Sequence, residues 1–380
     1  MKPININGLR DAAKKRLPKA VFDYIDGGAQ DEITLRRNNS DFQDFEFIPR
    51  ILTDISNRTQ VIELFGESLG SPLIMAPIGL AGFARREGEI QAAKAAEHHN
   101  IPFCLSSMAS CSIEQIGSQA PGSNWFQLYV LKDKGLTKEF IQRADDAKCS
   151  ALVITVDIKI QGPRERDIRN GLVVPPKFTS STILDFITHV RWLTDVALGP
   201  KIKYRNLENS SVNADDVMSI NDFIKAQWDL KLNWDDIVWF KEQWDGPVLI
   251  KGILSTEDAK IAHSLGIDGI VVSNHGGRQL DQSISTIKAL TRIKQVVPES
   301  FPLILDGGVR RGSDVIKAIC LGASACMFGR PWMYGLAFDG KNGVNLCLEI
   351  LKSEIDIALG LLGVSDINDL NHNYLSRVSD

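Results

Sequence analysis

Short apolar runs alternate along this chain with segments that have helical periodicity. Eight of these runs are predominantly apolar, which is typical of strands buried on both faces. They begin at Pro72, Ile101, Trp125, Ala151, Pro247, Gly269, Pro302 and Ala325. Helix-like segments occupy the intervals, among them residues 87–99, 137–148, 256–265 and 313–321. The pattern therefore predicts a strand followed by a helix, repeated eight times.

Eight such units predict a (β/α)8 TIM barrel of the α/β class. An open, doubly wound sheet is the alternative fold, but no G-x-G-x-x-G follows an early strand, as a dinucleotide-binding fold would require. We expect one domain, residues 1–380, in three parts: N-terminal helices and a cover over residues 1–70, the barrel over 71–335, and C-terminal helices over 336–380.

The N-terminal segment 8–40 has apolar residues at near-helical spacing, and Pro18 should divide it into two helices. The stretch FDYIDGGA follows within this segment. Its Tyr24 is either a packed aromatic residue or a hydroxyl group directed into a site.

One interval is too long for the repeat, because 96 residues separate Ala151 from Pro247. The excess, about residues 165–232, must be a long excursion on the face where barrel enzymes carry their active sites. Aromatic and aliphatic residues alternate there with lysine and arginine, which is typical of an amphipathic segment on a membrane surface. A lid that packs on the barrel or on a neighbouring subunit explains the same composition equally well.

Composition narrows the class of protein. With 44% hydrophobic and 24% charged residues, the chain is typical of soluble globular proteins, and a net charge of −4 argues against nucleic acid as its main partner. The N-terminus shows no signal peptide and no window is apolar enough for a membrane span, so we expect cytoplasmic synthesis. The six cysteines form no C-x-x-C pair and no H-E-x-x-H occurs, which favours buried, reduced thiols and no metal site.

The most informative stretch is GIVVSNHGGRQLD, residues 269–281, in which an apolar strand leads into a turn with Gly276-Gly277. The two glycines allow close approach to a ligand, so His275 and Arg278 could face one small molecule. Those two residues alone are equally consistent with a capping histidine and a surface arginine.

Other strand ends strengthen the functional interpretation, because the carboxyl ends of barrel strands meet at one mouth. They carry Ser106, Ser107, Gln127, Tyr129, Thr155, Asp157, Arg164, Lys251, Asp306, Arg310 and Arg330. The glycine and arginine residues after the last two strands suit a phosphate group, and the Arg164 and Arg278 forks suit a carboxylate. His275, with Asp157 to orient it, is the natural proton acceptor, and Lys251 could stabilise negative charge on a cofactor ring.

Seven motifs together resemble one family: SNHGGRQLD, WFQLYV, LVITVD, VLIKGIL, DGGVRRGSDVIKA, GRP and FDYIDGGA. They are similar to the FMN-dependent α-hydroxy-acid dehydrogenases and oxidases, and the resemblance covers about residues 5–375. It implies FMN as cofactor and oxidation of an (S)-2-hydroxy acid to a 2-oxo acid. Whether the electrons leave as a hydride or through a carbanion stays open.

The resemblance also implies roles for individual residues. The catalytic base would be His275, paired with Asp157, and the substrate would be bound by Tyr24, Tyr129, Arg164 and Arg278. The flavin ring would meet Ser106, Gln127, Thr155 and Lys251, and Pro77, Ile78, Gly79 and Ser273 would also bind the cofactor. The ribityl phosphate would be held by Asp306, Gly307, Gly308, Arg310, Gly329 and Arg330.

Two features indicate whether the chain is closer to the dehydrogenases or to the oxidases of this family. Gly79 lies where oxidases tend to have alanine, and the 165–232 excursion resembles the segment by which bacterial dehydrogenases attach to the membrane and meet quinone. We therefore expect an L-lactate dehydrogenase that passes electrons to quinone, with peripheral contact through 177–215 to the inner face of the cell membrane, and a homotetramer. The alternatives are a mandelate-type dehydrogenase, a soluble oxidase that reduces oxygen, and a flavin-binding barrel without turnover.

Overall fold

The computed structural model describes residues 2–172, 177–199, 201–208 and 227–378. Eight parallel strands close into a barrel in the order β10, β11, β4, β5, β6, β7, β8 and β9. These strands are β4 (Leu73–Met75), β5 (Phe103–Ser106), β6 (Asn124–Tyr129), β7 (Ala151–Thr155), β8 (Val248–Ile253), β9 (Gly269–Ser273), β10 (Leu303–Asp306) and β11 (Ala325–Phe328). The predicted TIM barrel is confirmed, and the strands lie in the eight predicted runs.

The barrel strands form from continuous apolar runs because both of their faces are covered. Every residue of β7, Ala-Leu-Val-Ile-Thr, is buried, and so is every residue of β9 and of β10. One face fills the barrel interior and the other packs against the surrounding helices. β8 carries a register shift against β9 between Lys251 and Ile253, so Gly252 lies at a bulge beside the active-site end.

The remaining strands cover the ends of the fold. They are β1 (Phe45–Phe47), β2 (Ile62–Leu64), β3 (Glu67–Leu69) and β12 (Leu375–Arg377). β2 and β3 form a hairpin, whereas β1 pairs antiparallel with β12 from the other end of the chain. The C-terminal segment is thus not entirely helical as predicted, because its last strand completes a two-stranded sheet with the N-terminal cover.

The helices begin and end close to the predicted positions. They are α1 (Ile6–Arg16), α2 (Lys19–Asp26), α3 (Ile33–Ser40), α4 (Gly88–His98), α5 (Ile113–Gln119), α6 (Lys134–Asp146), α7 (Glu165–Arg169), α8 (Ser180–Thr188), α9 (Val190–Trp192), α10 (Trp234–Glu242), α11 (Thr256–Ser264), α12 (Thr286–Lys294), α13 (Gly312–Cys320) and α14 (Arg330–Leu362). Pro18 separates α1 from α2 as expected, since proline favours a helix start over a helix interior. α14 begins earlier than the predicted C-terminal segment and is kinked at Asp339 and Gly340.

Only part of the long excursion after β7 is described. α7 and α8 lie in it, and α9 continues into a π-helical segment, Leu193–Ala197. Residues 173–176 and 209–226 of the excursion fall outside the described residues, and with them the end of the predicted membrane-contact segment 177–215. Among the helices that the structure does describe, none is long and apolar enough to cross a membrane.

Candidate active site

A cavity of about 1180 Å³ opens at the carboxyl ends of the barrel strands. Most of the predicted site residues line it: Tyr24, Pro77, Ile78, Gly79, Gln127, Tyr129, Thr155, Arg164, Lys251, His275, Arg278, Asp306, Gly307, Gly308, Arg310, Gly329 and Arg330. Ser106, Asp157 and Ser273 do not line it and lie one layer behind. The convergence expected from strand polarity is therefore observed.

His275 sits where β9 ends and is paired with Asp157, which follows β7. Its Nδ1 lies 3.0 Å from Asp157 Oδ1, while its Nε2 faces Tyr129 on the cavity side. Burial lowers the pKa of His275 below its ordinary value, although the Asp157 carboxylate opposes that shift. The imidazole is thus neutral near pH 7 and can accept a proton at Nε2, with Asp157 ready to stabilise the cation that results.

The backbone that presents His275 is left-handed over three consecutive residues, with φ of 57° at His275, 64° at Gly276 and 74° at Gly277. At Gly277 a Cβ atom would lie 2.6 Å from the Leu35 backbone nitrogen, so the turn packs directly against α3. The two glycines therefore serve the fold as well as the site, because a larger residue at Gly277 would push α3 away from the turn.

Tyr129 and Tyr24 line the cavity on either side of the histidine and the arginine. The Tyr129 hydroxyl is 3.5 Å from His275 Nε2, and the two rings are stacked with centroids 6.5 Å apart. Burial raises the pKa of Tyr129, so its hydroxyl stays protonated and can donate a hydrogen bond. The Arg278 guanidinium lies 5.2 Å from the centre of the Tyr24 ring, and Tyr24 also lines the cavity.

Two arginines in the cavity have N–H groups without a hydrogen-bond partner among the described residues. Arg278 Nη1 donates to the carbonyl oxygens of Tyr24 and Gly27, which leaves its Nε and Nη2 edge without a partner among the described residues. The Nε of Arg164 is buried and also unpaired within the described part of the chain. Burial and the Arg164 charge both lower the pKa of Arg278. An incoming carboxylate would relieve this repulsion and satisfy both forks.

Lys251 forms a buried triad behind the centre of the cavity. Its Nζ lies 2.6 Å from Asp306 Oδ2 and 2.9 Å from Ser273 Oγ, and Ser273 in turn donates to Asp306. Burial opposes protonation of Lys251, but Asp306 and Asp157 raise its pKa above the ordinary value, so it stays an ammonium. Asp306 and Ser273, both predicted to bind the cofactor, direct their side chains at Lys251, and Asp306 also lines the cavity, so their contact with the cofactor stays a prediction.

The donors beside Lys251 suit a flavin ring. The Gln127 Nε2 and Thr155 Oγ1 atoms are buried, line the cavity and have no partner among the described residues. A polar heterocycle placed against them would satisfy both. The contact of Ser106 with the ring stays a prediction. In the structure Ser106 donates to Gln127 Oε1 at 2.9 Å and accepts from the Met108 backbone. It orients the glutamine amide from behind.

The opposite end of the cavity, formed by the turns after β10 and β11, suits a phosphate group. Gly307, Gly308, Gly329 and Arg310 line it, and glycine backbone with a guanidinium is a common anion-binding combination. Arg330 also lines this end, but three of its nitrogens donate to the carbonyl oxygens of Asp26, Gly27 and Gly276. Arg330 therefore links the turn at Asp26 and Gly27 to the turn that carries His275.

Sequence reasoning did not identify the residues that hold these groups in place. Asp26 accepts hydrogen bonds from Arg10, Arg166 and Tyr334. It was not predicted as a functional residue, even though it lies inside the motif FDYIDGGA. Gln279 donates a hydrogen bond to the carbonyl oxygen of Asp157. It was not predicted either, even though it lies inside SNHGGRQLD. Their membership of these motifs was the available signal, but nothing in a linear sequence shows which distant backbone a buried amide or carboxylate will meet.

The mouth of the cavity is aromatic. It is lined by Phe83, Phe178, Phe186, Trp192, Tyr204 and Trp228. Trp192 Nε1 donates to the Phe83 carbonyl oxygen at 2.7 Å, which fixes the start of the π-helical segment over the loop after β4. The excursion after β7 thus contributes residues to the lining of the cavity.

Comparison with known proteins agrees with this geometry. The FMN-dependent dehydrogenase family matches residues 13–377. The L-lactate dehydrogenase of Pseudomonas syringae pv. syringae (strain B728a) is 42% identical over 369 residues, which cover 97% of this chain and 97% of that protein.

Solved structures give the same picture. The monotopic membrane protein (S)-mandelate dehydrogenase is 36% identical with a TM-score of 0.96 and covers 100% of both chains. A mandelate oxidase solved with (S)-2-phenylpropionate is 34% identical with a TM-score of 0.83, over 99% of this chain and 98% of that one. The similarity thus extends over the whole chain, including the two ends.

Proposed function

This chain belongs to the FMN-dependent dehydrogenase family, and from that premise we propose that it oxidises L-lactate to pyruvate and passes the electrons to a membrane quinone. The observation that carries the proposal is the arrangement of one neutral base, His275, in the same cavity as two arginines whose spare donors have no partner in the described part of the chain. A base beside a carboxylate site is what oxidation of a 2-hydroxy acid requires.

The substrate would be held by its carboxylate. The free edge of Arg278 and the unpaired Nε of Arg164 offer two guanidinium forks, and a bidentate contact would fix the orientation of the α-carbon. The substrate hydroxyl would then lie between His275 Nε2 and the hydroxyl groups of Tyr129 and Tyr24. Placement of this kind converts binding energy into a reactive geometry.

FMN supplies a two-electron acceptor when it is bound. The residues of this chain would manage the accompanying protons and charge. His275 Nε2 would take the proton of the substrate hydroxyl, and the imidazolium would be stabilised by Asp157 through Nδ1. Lys251, held as an ammonium by Asp306, would balance negative charge at the flavin ring. Gln127 and Thr155 would hydrogen-bond the ring edge, and Arg310 would bind the phosphate.

L-lactate is the first choice of substrate because of the curated relative at 42% identity. An aromatic 2-hydroxy acid such as mandelate is the second, and the aromatic mouth of the cavity and the mandelate dehydrogenase structure favour it. Ile78 and Met108 border the end where the side chain of the substrate would lie. An apolar pocket discriminates by only about 1–3 kcal/mol per methylene, so both acids deserve testing.

The proposed acceptor is quinone, and the supporting feature is α8. Its residues Ile183, Leu184 and Ile187 are apolar yet 48%, 62% and 55% exposed, and Val190 beyond it is 61% exposed. Phe186 of the same helix faces the cavity mouth. The segment would therefore cover the active site with one face and rest on the inner face of the cell membrane with the other.

A substrate panel tests the proposal. Reduction of an artificial electron acceptor would be measured with L-lactate, D-lactate, (S)-mandelate and glycolate, in parallel with oxygen uptake. We expect L-lactate to be preferred and oxygen uptake to be slow. Rapid oxygen consumption would instead favour a soluble oxidase, although Gly79 supports the dehydrogenase. No reduction with any acid would contradict the proposed activity.

A further inference from the structure

The four groups proposed to act on the substrate come from two loops. The loop after β9 carries His275 and Arg278, and the loop after β7 carries Asp157 at its start and Arg164 at its end. Residues 157–164 contain no helix or strand, and Lys159, Ile160 and Gln161 are exposed to solvent. A loop of this kind has no hydrogen-bond ladder of its own, so contacts from outside must fix the positions of its two ends.

Gln279 supplies such contacts. Its side-chain Nε2 donates to the carbonyl oxygens of Asp157 and Ile160 at 2.7 and 2.9 Å. Its Oε1 accepts a hydrogen bond from the Gly162 backbone nitrogen at 3.1 Å. One amide thus satisfies three backbone groups of the loop while it is itself only 8% exposed. Replacing it would leave these groups unpaired or would let the loop move.

Two glycines show how closely the loop is fitted. A Cβ atom at Gly162 would lie 2.5 Å from the Arg278 carbonyl oxygen, so this part of the loop rests on the backbone next to Gln279. On the other side, a Cβ atom at Gly252 would lie 2.7 Å from Asp157 Cβ. Asp157 is therefore confined by Gly252 at the β8 bulge and by the hydrogen bond from Gln279 to its carbonyl oxygen.

We propose that Gln279 is a positioning residue for the reaction: its three hydrogen bonds fix the Asp157–Arg164 loop to the His275–Arg278 loop and so set the geometry of all four groups. Gln279 does not line the cavity and would not touch the substrate. The inference rests on the proposed function, since the roles of those four groups belong to it. It goes further in assigning a task to a residue one position beyond Arg278.

The first test uses Gln279→Met, which keeps the length of the side chain and removes all three hydrogen bonds. The holoenzyme should bind FMN normally, but the limiting rate of flavin reduction should fall about 10-fold to 100-fold, because displacements of about 1 Å cost rates of that order. KM should rise as well, since Arg164 lies at the far end of the same loop. If Gln279→Met fails to fold, Gln279→Glu serves instead, because it retains the acceptor for Gly162 and loses both donors.

A second readout separates positioning from a merely structural role. The groups that face His275 are Asp157, Lys251, Arg164 and Tyr129, and of these only Asp157 raises the pKa of the imidazole through a direct contact. Loosening the loop should therefore lower the pKa of His275 further. NMR titration of labelled histidines would measure this in the holoenzyme, with His275→Gln used to assign the signal among the six histidines.

Asp281→Asn is the matched control. Asp281 lies two residues beyond Gln279, but its carboxylate accepts from the Ile33 and Thr34 backbone nitrogens at the start of α3 and makes no contact with the 157–164 loop. It should leave the His275 titration unchanged. A cycle with Asp157→Asn completes the test, because residues that act through one another give less than additive losses.

The outcomes distinguish this inference from the proposed function. An unchanged His275 titration in Gln279→Met, with losses that add to those of Asp157→Asn, would overturn the positioning role. A wild-type enzyme that is not reduced by any 2-hydroxy acid would overturn the proposed function, while the titration would still decide the role of Gln279.

Discussion

At the scale of single side chains, the protonation state of His275 decides when the proposed site can act. A base must be neutral, so the rate should rise with pH through the pKa of His275. Burial lowers that pKa below the ordinary value of about 6.5, and Asp157 opposes the shift. The acid limb of kcat/KM should therefore lie below about pH 6.5.

Asp157→Asn tests this reasoning. Without the carboxylate, the pKa of His275 should fall further and the acid limb should move to lower pH. The reduction rate should drop on the order of 10²-fold or more, because the imidazolium loses its counter-ion. Anaerobic stopped-flow measurements across pH would show both effects, and a limb that stays in place or moves to higher pH would contradict them.

Arg278 and Lys251 should differ in what they stabilise. Arg278→Lys removes the fork proposed to bind the substrate carboxylate, so KM should rise while FMN content and flavin potential stay unchanged. Lys251→Met removes an ammonium beside the proposed ring site, so it should lower the reduction potential of the flavin. Potentiometry and stopped-flow of both variants give the test. A potential that shifts in Arg278→Lys but not in Lys251→Met would mean that the two roles are reversed.

The predictions from sequence succeeded for residues whose position follows from strand polarity. His275, Lys251 and Gln127 lie at the carboxyl ends of buried strands, and such ends must share one mouth in a closed barrel. The same reasoning could not tell which of two adjacent layers a side chain occupies. Ser106 and Ser273, for example, do not line the cavity, and their hydroxyl groups bond Gln127 and Lys251, so their predicted contact with the cofactor remains to be tested.

At the scale of elements, Asp26 at the end of α2 joins the N-terminal helices to the barrel. Its carboxylate accepts from Arg10 at 2.6 and 2.7 Å, from Tyr334 of α14 at 2.7 Å and from Arg166 of α7 at 3.2 Å. Burial opposes ionisation, but the hydrogen bonds from Arg10 and Tyr334 lower the pKa of Asp26 to about 2. This carboxylate should therefore stabilise the fold as an anion.

Asp26→Ala should lower the free energy of unfolding by about 3 kcal/mol at neutral pH, because it leaves partly buried cations without their partner. The folded pKa lies below the unfolded value, so the contribution is complete above about pH 4 and is lost as the pH falls towards 2. Urea unfolding at pH 7 and at low pH would measure the difference. Asp54→Ala, at an exposed carboxylate, is the control, and equal effects of the two variants would contradict the assignment.

The apolar face of α8 makes a separate prediction. Replacing Leu184 and Ile187 by serine should weaken binding to anionic phospholipid vesicles several-fold and leave flavin reduction unchanged, because these side chains are exposed. The matched control replaces Val238 and Ile261, exposed apolar residues of α10 and α11, by serine. Vesicle sedimentation is the measurement. Equal binding by both variants and the wild type would favour a lid without membrane contact.

The order of elements was predictable from sequence because each barrel strand is a short, predominantly apolar run. The excursion after β7 was not, since its aromatic and apolar residues serve two surfaces at once. Phe186 and Trp192 line the cavity mouth while Leu184 and Val190 face outward. A lid and a membrane segment can contain the same numbers of apolar and charged residues. Only the direction in which each side chain lies can separate the two interpretations.

At the scale of the whole molecule, a second apolar surface bears on assembly. Ile51, Leu52 and Leu361 are 82%, 100% and 74% exposed, and Arg50 donates to the Leu362 carbonyl oxygen, so the loop and the end of α14 are adjacent. Exposed apolar groups of this kind are common at contacts between subunits. The homotetramer stays a prediction, and light scattering would measure the oligomeric state.

The central claim is that this protein oxidises an (S)-2-hydroxy acid with FMN, and that the neutral His275, beside two arginines, is the base. Its most direct test is anaerobic flavin reduction by L-lactate and (S)-mandelate, each against its enantiomer, in the wild type and in His275→Gln. We predict bleaching of the flavin by an (S)-acid only, and a loss on the order of 10²–10⁴-fold in His275→Gln with its FMN retained. Equal reduction by both enantiomers, or a wild-type rate in His275→Gln, would contradict the account.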